Sequence, residues 1–420
     1  MDAREYVNRI ATAAKAAAEQ VAVSAGARRN AALLAGAKAI RAQALGLKKA
    51  NTEDLAGAKS AGLSGAMIDR LSLSDKGIEA MAAGLEAVAA QVDPVGQTLA
   101  AYNRPNGLRI EKRRVPLGVV AIIYEARPNV TADAAGLCLK SGNACILRGG
   151  KEALRTNLAI GRCLAAGLKE AGLPAEAVTI IDTTDRQVVP ALATAEGLID
   201  LIIPRGGEAL IRAVVEAATI PVIKHYTGNC HVYMDASAEE KMARALVLNA
   251  KCQRPGVCNA AETLLVHADH AKAGGLLSRI LGDLLKAGVE VRGDERTRAN
   301  NPKVKPATEQ DWRAEYLDLI LAVRVVDTLE AAIEHINKYG SHHTDAIVTS
   351  DLAAAGAFTA RVDSSSVMVN ASTRFSDGGE YGLGAEVGIS TDKFHARGPM
   401  GAEDLTTYKW IVTGQGHLRE

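Results

Sequence analysis

The chain has 420 residues, enough for two or three domains with sizeable cores. Its 49 Lys and Arg balance 48 Asp and Glu, so no basic footprint for nucleic acid or an anionic membrane face is present. No apolar run approaches the roughly 18 residues of a membrane span. The opening Met1-Asp-Ala-Arg-Glu5 has no apolar signal core, and the scattered cysteines of a large chain lead to the expectation of a cytoplasmic protein.

Residues 1–100 are rich in Ala, Leu, Lys and Glu with few breakers and read as several helices. Asn51-Thr-Glu-Asp54 and Ser72-Leu-Ser-Asp75 resemble helix starts. Residues 104–114 are β-prone and precede a change of texture at Val115. Short β-branched runs then alternate with helical ones: 119–124, 144–147, 178–181, 198–203 and 220–223. Such alternation predicts a parallel sheet wrapped by helices. A second set follows at 232–234, 262–267, 320–326, 346–349 and 366–369, so two α/β domains are expected with a boundary near 224–231. Tyr408-Lys-Trp-Ile-Val412, within the β-prone run 407–413, has the alternation of a half-buried strand.

Two glycine turns end strands of the first set. Leu147-Arg-Gly-Gly-Lys151 carries two cations, and Pro204-Arg-Gly-Gly-Glu208 leads into a helix. The carboxyl ends of parallel strands and the N-termini of helices suit phosphate groups, although for either turn alone a plain connection is the better reading. Neither turn is the GxGxxG fingerprint of an ordinary Rossmann dehydrogenase. Together they favour a nucleotide cofactor.

In the second set, a helical run over 238–250 is stopped by Pro255 and Gly256, and a strand follows from Glu262. Cys258 therefore sits at a helix-to-strand corner, where a thiolate can serve as a nucleophile. A small buried hydrophobe is the alternative. The other cysteines, Cys138, Cys145, Cys163, Cys230 and Cys252, are scattered, and reduced thiols are expected. Cys252 and Cys258 lack a second pair at zinc spacing and His342-His343 stand alone, so no metal site is expected.

Four motifs carry a resemblance. They are Pro116-Leu-Gly-Val-Val-Ala-Ile-Ile-Tyr-Glu-Ala-Arg-Pro-Asn-Val130, Lys140-Ser-Gly-Asn-Ala-Cys-Ile-Leu-Arg-Gly-Gly-Lys151, Gln253-Arg-Pro-Gly-Val-Cys-Asn259 and Tyr381-Gly-Leu-Gly-Ala-Glu-Val-Gly-Ile-Ser390. They resemble the γ-glutamyl phosphate reductase family, the proline-pathway branch of the aldehyde dehydrogenase superfamily. The likeness runs from the N-terminal helices to Thr406-Thr-Tyr-Lys-Trp410. It implies an α/β, aldehyde dehydrogenase-like fold with two parallel-sheet domains and a small β oligomerisation arm. The expected parts are an NADP-binding domain at 1–103 and 115–228, a catalytic domain at 229–390, and an arm at 104–114 and 391–420. It also implies NADPH-dependent reduction of L-glutamate 5-phosphate to L-glutamate 5-semialdehyde, in a homo-oligomer without nucleic-acid or membrane partners.

By the same resemblance Cys258 is the nucleophile and the Asn129 amide helps hold the oxyanion. Lys151 reaches the cofactor ribose and Gly206-Gly207 lies near the pyrophosphate. Arg148 and Lys151 lean toward a 2′-phosphate. Glu315 matches the glutamate on the nicotinamide-side ribose, with a solvated loop carboxylate as the alternative. Arg127, Lys251, Arg254 and Arg397 are the cations expected for a polyanionic substrate, whereas His395 reads as structural. Hydrolytic members of the superfamily carry a water-activating glutamate roughly where Tyr226 stands in His225-Tyr-Thr-Gly-Asn229. A phenol is a poor general base at neutral pH, so a thioester at Cys258 should survive for reduction. A CoA-acylating aldehyde dehydrogenase would share these features. A non-catalytic NADP-binding protein on the same fold is the other alternative.

Overall fold

Residues 2–272 and 274–419 are described in this computed structural model. Contacts divide the chain into two units. The first holds the chain up to Lys224, Gly382–Gly388 and the segment from Phe394 onward; the second holds His225–Tyr381 and Ile389–Lys393. The sequence reading gives 382–388 to the catalytic part, whereas this segment packs with the first unit.

Among the described residues, five helices precede the first strand: Ala3–Ala22, Gly26–Ala42, Ala44–Ser60, Gly65–Leu71 and Asp75–Ala90. Ser74 caps the last of them, its hydroxyl accepting from the Gly77 N–H at 3.1 Å. The other expected start, Asn51-Thr-Glu-Asp54, instead lies inside Ala44–Ser60. There the buried Asn51 binds the Leu71 carbonyl and Leu73 N–H, both at 2.9 Å. Asp54 caps a distant helix, Leu154–Glu170, by accepting the Thr156 N–H at 2.8 Å. Polar capping residues can serve a neighbouring helix as well as their own, and a sequence does not say which.

The first unit's sheet is four-stranded and parallel, in the order Val178–Ile180, Ala144–Arg148, Val119–Tyr124, Leu201–Arg205. Val119–Tyr124 is buried at every position, as a central strand covered on both faces must be. The expected strand at 220–223 reduces to a single bridge between Ile202 and Val222.

A separate antiparallel sheet joins Thr98–Asn103, Arg109–Pro116 and Thr406–Thr413. Thr98–Asn103 is exposed along its length and lies before the expected arm boundary at 104. Tyr408, Trp410 and Val412 are 47%, 53% and 57% exposed. The Asn143 amide fastens this sheet to the unit by donating to the Leu405 carbonyl at 2.8 Å.

The second unit holds a seven-stranded parallel sheet. Its order is Lys305–Pro306, Glu290–Gly293, Ile320–Val326, Ala261–His267, Cys230–Met234, Thr344–Val348, Ser366–Val369. The first two strands are absent from the sequence reading. Both are short and charged, and only Val291 of Glu290–Gly293 contributes a large apolar side chain to the core. No helix among the described residues is long and apolar enough to cross a membrane.

Candidate active site

In the first unit the singled-out residues gather at the carboxyl edge of the sheet. Arg127 and Asn129 follow the strand Val119–Tyr124, Arg148 and Lys151 close Ala144–Arg148, and Gly206-Gly207 follows Leu201–Arg205. Arg127, Asn129 and Lys151 are exposed, and Arg148 is half-buried with its guanidinium pKa lowered by that burial. The Asn129 amide donates to Asp133 Oδ2 at 3.1 Å, which fixes its orientation. Burial raises the Asp133 carboxyl to about 6, against the Asn129 hydrogen bond that lowers it. Asp133 carries no signal in the sequence beyond its place one helical turn after Asn129.

Gly207 caps the helix Glu208–Ala217, and space is open where a side chain would project from it. Its N–H donates to the Glu125 carboxylate at 3.1 Å, so the helix start already holds an anionic group. The open glycine, the exposed Lys151 and the half-buried Arg148 suit a dinucleotide's phosphates. Arg397 is half-buried. His395 is exposed, its Nε2 at 3.1 Å from the Asp404 carbonyl.

The second unit uses the opposite, amino edge of its sheet. Three neighbouring strands begin there, Ala261–His267, Cys230–Met234 and Thr344–Val348. The residues just before them are therefore brought together: Cys258, His225 to Asn229, and His343. One ligand atom from each of Cys258, His225 and His343 lies within 4.8 Å of the others. Asn229 anchors its segment by donating to the Trp312 and Tyr339 carbonyls at 2.8 and 2.9 Å.

Gly228 packs directly on the Cys258 turn, since a Cβ built there would lie 1.9 Å from the Cys258 carbonyl oxygen. The Cys230 thiol donates to that carbonyl at 3.2 Å. Burial holds the Cys230 thiol well above its ordinary pKa, which leaves Cys258 as the more accessible sulfur. All six cysteines are free thiols. Glu315 accepts the Gly228 N–H at 2.8 Å, so its carboxylate lies beside the thiol's turn.

Two of the expected substrate cations separate here. Lys251 is fully buried and its ammonium donates to Glu262 at 2.6 Å, with neither side chain exposed. Its charge is already neutralised inside the unit, which corrects its assignment as a substrate ligand. Burial raises the Glu262 carboxyl to about 7, outweighing the attraction of Lys251. Arg254, by contrast, is exposed.

Arg254 has a partner that sequence reasoning missed. Arg374 donates to Gln253 Oε1 at 2.9 Å, and its pKa is lowered by burial and by the Arg254 charge. The Asp377 carboxylate acts on it in the opposite sense, ahead of the Cys258 and Cys230 sulfurs. Asn259 positions this loop, its amide donating to the Ser376 carbonyl at 2.9 Å and the Arg374 carbonyl at 3.5 Å. The arrangement gives one reachable thiol, two imidazoles that can take its proton, and two repelling guanidiniums that an anion would relieve.

The pattern of the aldehyde dehydrogenase family matches residues 2–297. The γ-glutamyl phosphate reductase of Moorella thermoacetica is 56% identical over 393 residues, covering 94% of each chain. That of Geobacter metallireducens is 54% identical over 420 residues and 100% of both chains. The crystal structure of γ-glutamyl phosphate reductase from Thermotoga maritima superposes with a TM-score of 0.96 at 45% identity, covering 99% of this chain and 100% of the other.

Proposed function

The chain belongs to the aldehyde dehydrogenase family, in its γ-glutamyl phosphate reductase branch, and on that footing we propose that it reduces L-glutamate 5-phosphate to L-glutamate 5-semialdehyde with release of phosphate, a step of proline biosynthesis. The observation that carries this reading in the structure is the Arg254–Arg374 pair beside a reachable Cys258. An acyl phosphate needs a nucleophile at its acyl carbon and cations at its phosphate, and this loop cluster supplies both.

In the proposed reaction the Cys258 thiol gives its proton to the neighbouring imidazoles. The sulfur attacks the γ-acyl carbon, and the likeness to the family assigns the Asn129 amide as the donor for the oxyanion that develops. Asp133 keeps that amide oriented. The carbon–oxygen bond to phosphate then breaks, leaving a thioester, and Arg254 and Arg374 stabilise the departing dianion. Lys151, Arg148 and Gly206-Gly207 would hold the phosphates of NADPH and Glu315 would serve its ribose; when bound, the cofactor would supply the hydride that reduces the thioester. The resulting thiohemiacetal collapses to release the aldehyde and return the thiol. Tyr226, in place of a hydrolytic carboxylate, leaves the thioester unhydrolysed.

The test is the reverse reaction. Oxidation of glutamate 5-semialdehyde with NADP should require inorganic phosphate. Oxidation supported by CoA and indifferent to phosphate would instead place the chain among acylating aldehyde dehydrogenases.

A further inference from the structure

The amino edge of the second sheet assembles a set of soft-metal ligands from segments far apart in the chain. Cys258, His225 and His343 each offer one ligand atom, all within 4.8 Å of one another. A zinc ion bonds thiolate and imidazole at about 2.0–2.3 Å, which sets tetrahedral ligand atoms roughly 3.5 Å apart. On binding, the ligand atoms would therefore draw in from their present separation of up to 4.8 Å. The two imidazole rings lie 5.4 Å apart at 69°, so they approach the thiol from different directions.

A second observation points the same way. His225 Nδ1 lies 2.9 Å from the Ile389 carbonyl oxygen. A carbonyl only accepts, so Nδ1 carries the proton and Nε2 keeps its lone pair. Metal-binding histidines are commonly oriented by this kind of hydrogen bond from the non-ligating nitrogen to a backbone carbonyl. In the neutral ring His225 is thus held so that Nε2 is the nitrogen it would offer to a metal.

We propose that Cys258, His225 and His343 form a zinc-binding site that switches the enzyme off by occupying its nucleophile. On binding, the Cys258 thiol releases its proton to solvent and a zinc–sulfur bond forms, with no change of oxidation state. Three protein ligands leave a fourth position for water or an anion, as in open zinc sites. The Cys230 thiol, committed to the Cys258 carbonyl, is not counted among the ligands. The switch rests on the reading of Cys258 as the nucleophile, whereas the site rests on side-chain geometry alone, so a test of metal binding that does not involve turnover keeps the two apart.

The full-length protein, reduced and stripped with chelator, is titrated with cobalt(II) as a spectroscopic stand-in for zinc. One equivalent should bind with a thiolate-to-metal charge-transfer band and intense tetrahedral d–d bands. Cys258→Ser should abolish the charge-transfer band, while Cys252→Ser and Cys230→Ser keep it. His225→Ala and His343→Ala should each weaken binding by about ten- to a hundredfold or more, at least the loss that follows removal of an outer-shell partner of a ligand. A check independent of variants is alkylation of the wild-type protein by iodoacetamide, read by mass spectrometry. Saturating zinc should protect Cys258 at least tenfold more than Cys252, and chelator should remove the protection. Unchanged alkylation of Cys258, or a cobalt spectrum that survives Cys258→Ser, overturns the proposal.

Discussion

At the scale of single residues, reactivity divides among cysteines that look alike in composition. Cys258 is half-buried at a turn facing two imidazoles, whereas Cys252 ends the helix Glu240–Cys252 and has its thiol pKa raised by burial. Cys258→Ser is expected to lower the rate by about 10³-fold or more, with folding and nucleotide binding kept. Cys252→Ser is expected to stay near the wild-type rate; steady-state assays with circular dichroism distinguish the two. Arg374→Gln should raise KM for glutamate 5-phosphate by about ten- to a hundredfold, the scale of one charge-assisted hydrogen bond, and leave KM for the dinucleotide unchanged. Lys151→Ala should do the reverse. If both variants move the same constant, the division of cations between the units is wrong. Cys258 and Arg254 were legible in the sequence because their motif is contiguous. Arg374 was not, because Asn259 brings its loop to the thiol from more than a hundred positions away. Lys251 misled because a buried ion pair and a ligand-binding cation read identically until the partner Glu262 is seen.

At the scale of elements, the strands buried on both faces were legible, because continuous β-branched runs such as Val119–Tyr124 and Ile320–Val326 have few other readings. Short edge strands were not, since they bury too little to leave a pattern. The packing of the helix Leu329–Tyr339 holds a further expectation. His335 is buried on this helix and accepts from Arg324 at 2.9 Å. Its pKa is lowered to about 2, first by burial and then by the charges of His231, Arg324 and Lys338. In the unfolded chain the imidazole titrates near its ordinary 6.5, so below that pH the unfolded state binds a proton that the folded state refuses. Stability is therefore lost as pH falls from about 6.5 toward 2, by up to about 1.4 kcal/mol per pH unit from this group. Trp312, with its ring 5.5 Å from His335, reports the transition. Thermal unfolding read by tryptophan fluorescence should shift downward between pH 7 and pH 5, and the shift should shrink in His335→Phe. Parallel pH profiles for the two proteins would remove His335 as the cause.

At the scale of the whole molecule, the antiparallel sheet of Thr98–Asn103, Arg109–Pro116 and Thr406–Thr413 presents an exposed strand and exposed Tyr408, Trp410 and Val412. Lys112 covers the Tyr408 ring at 3.6 Å, but the edges still offer unpaired backbone to another chain. We expect a homo-oligomer joined through this sheet. Ending the chain at Asp404 should give monomers or insoluble protein. An active truncated protein with an unchanged subunit number by light scattering would place the joint elsewhere. The alternation of elements made two α/β units visible in the sequence. The return of 382–388 to the first unit was not visible, because the chain crosses back in a loop without a periodic pattern.

The contact between Gly228 and the Cys258 carbonyl has a consequence for how the protein tolerates genetic change. No side chain fits between these two backbones, because even a methyl group at 228 would begin 1.9 Å from the oxygen. The place of the Cys258 turn is thus set by main-chain contact rather than by a side chain. The same contact concentrates vulnerability in one codon. Any missense change at Gly228 must displace the turn that carries the thiol, although the residue has no side chain, no charge and no part in the chemistry.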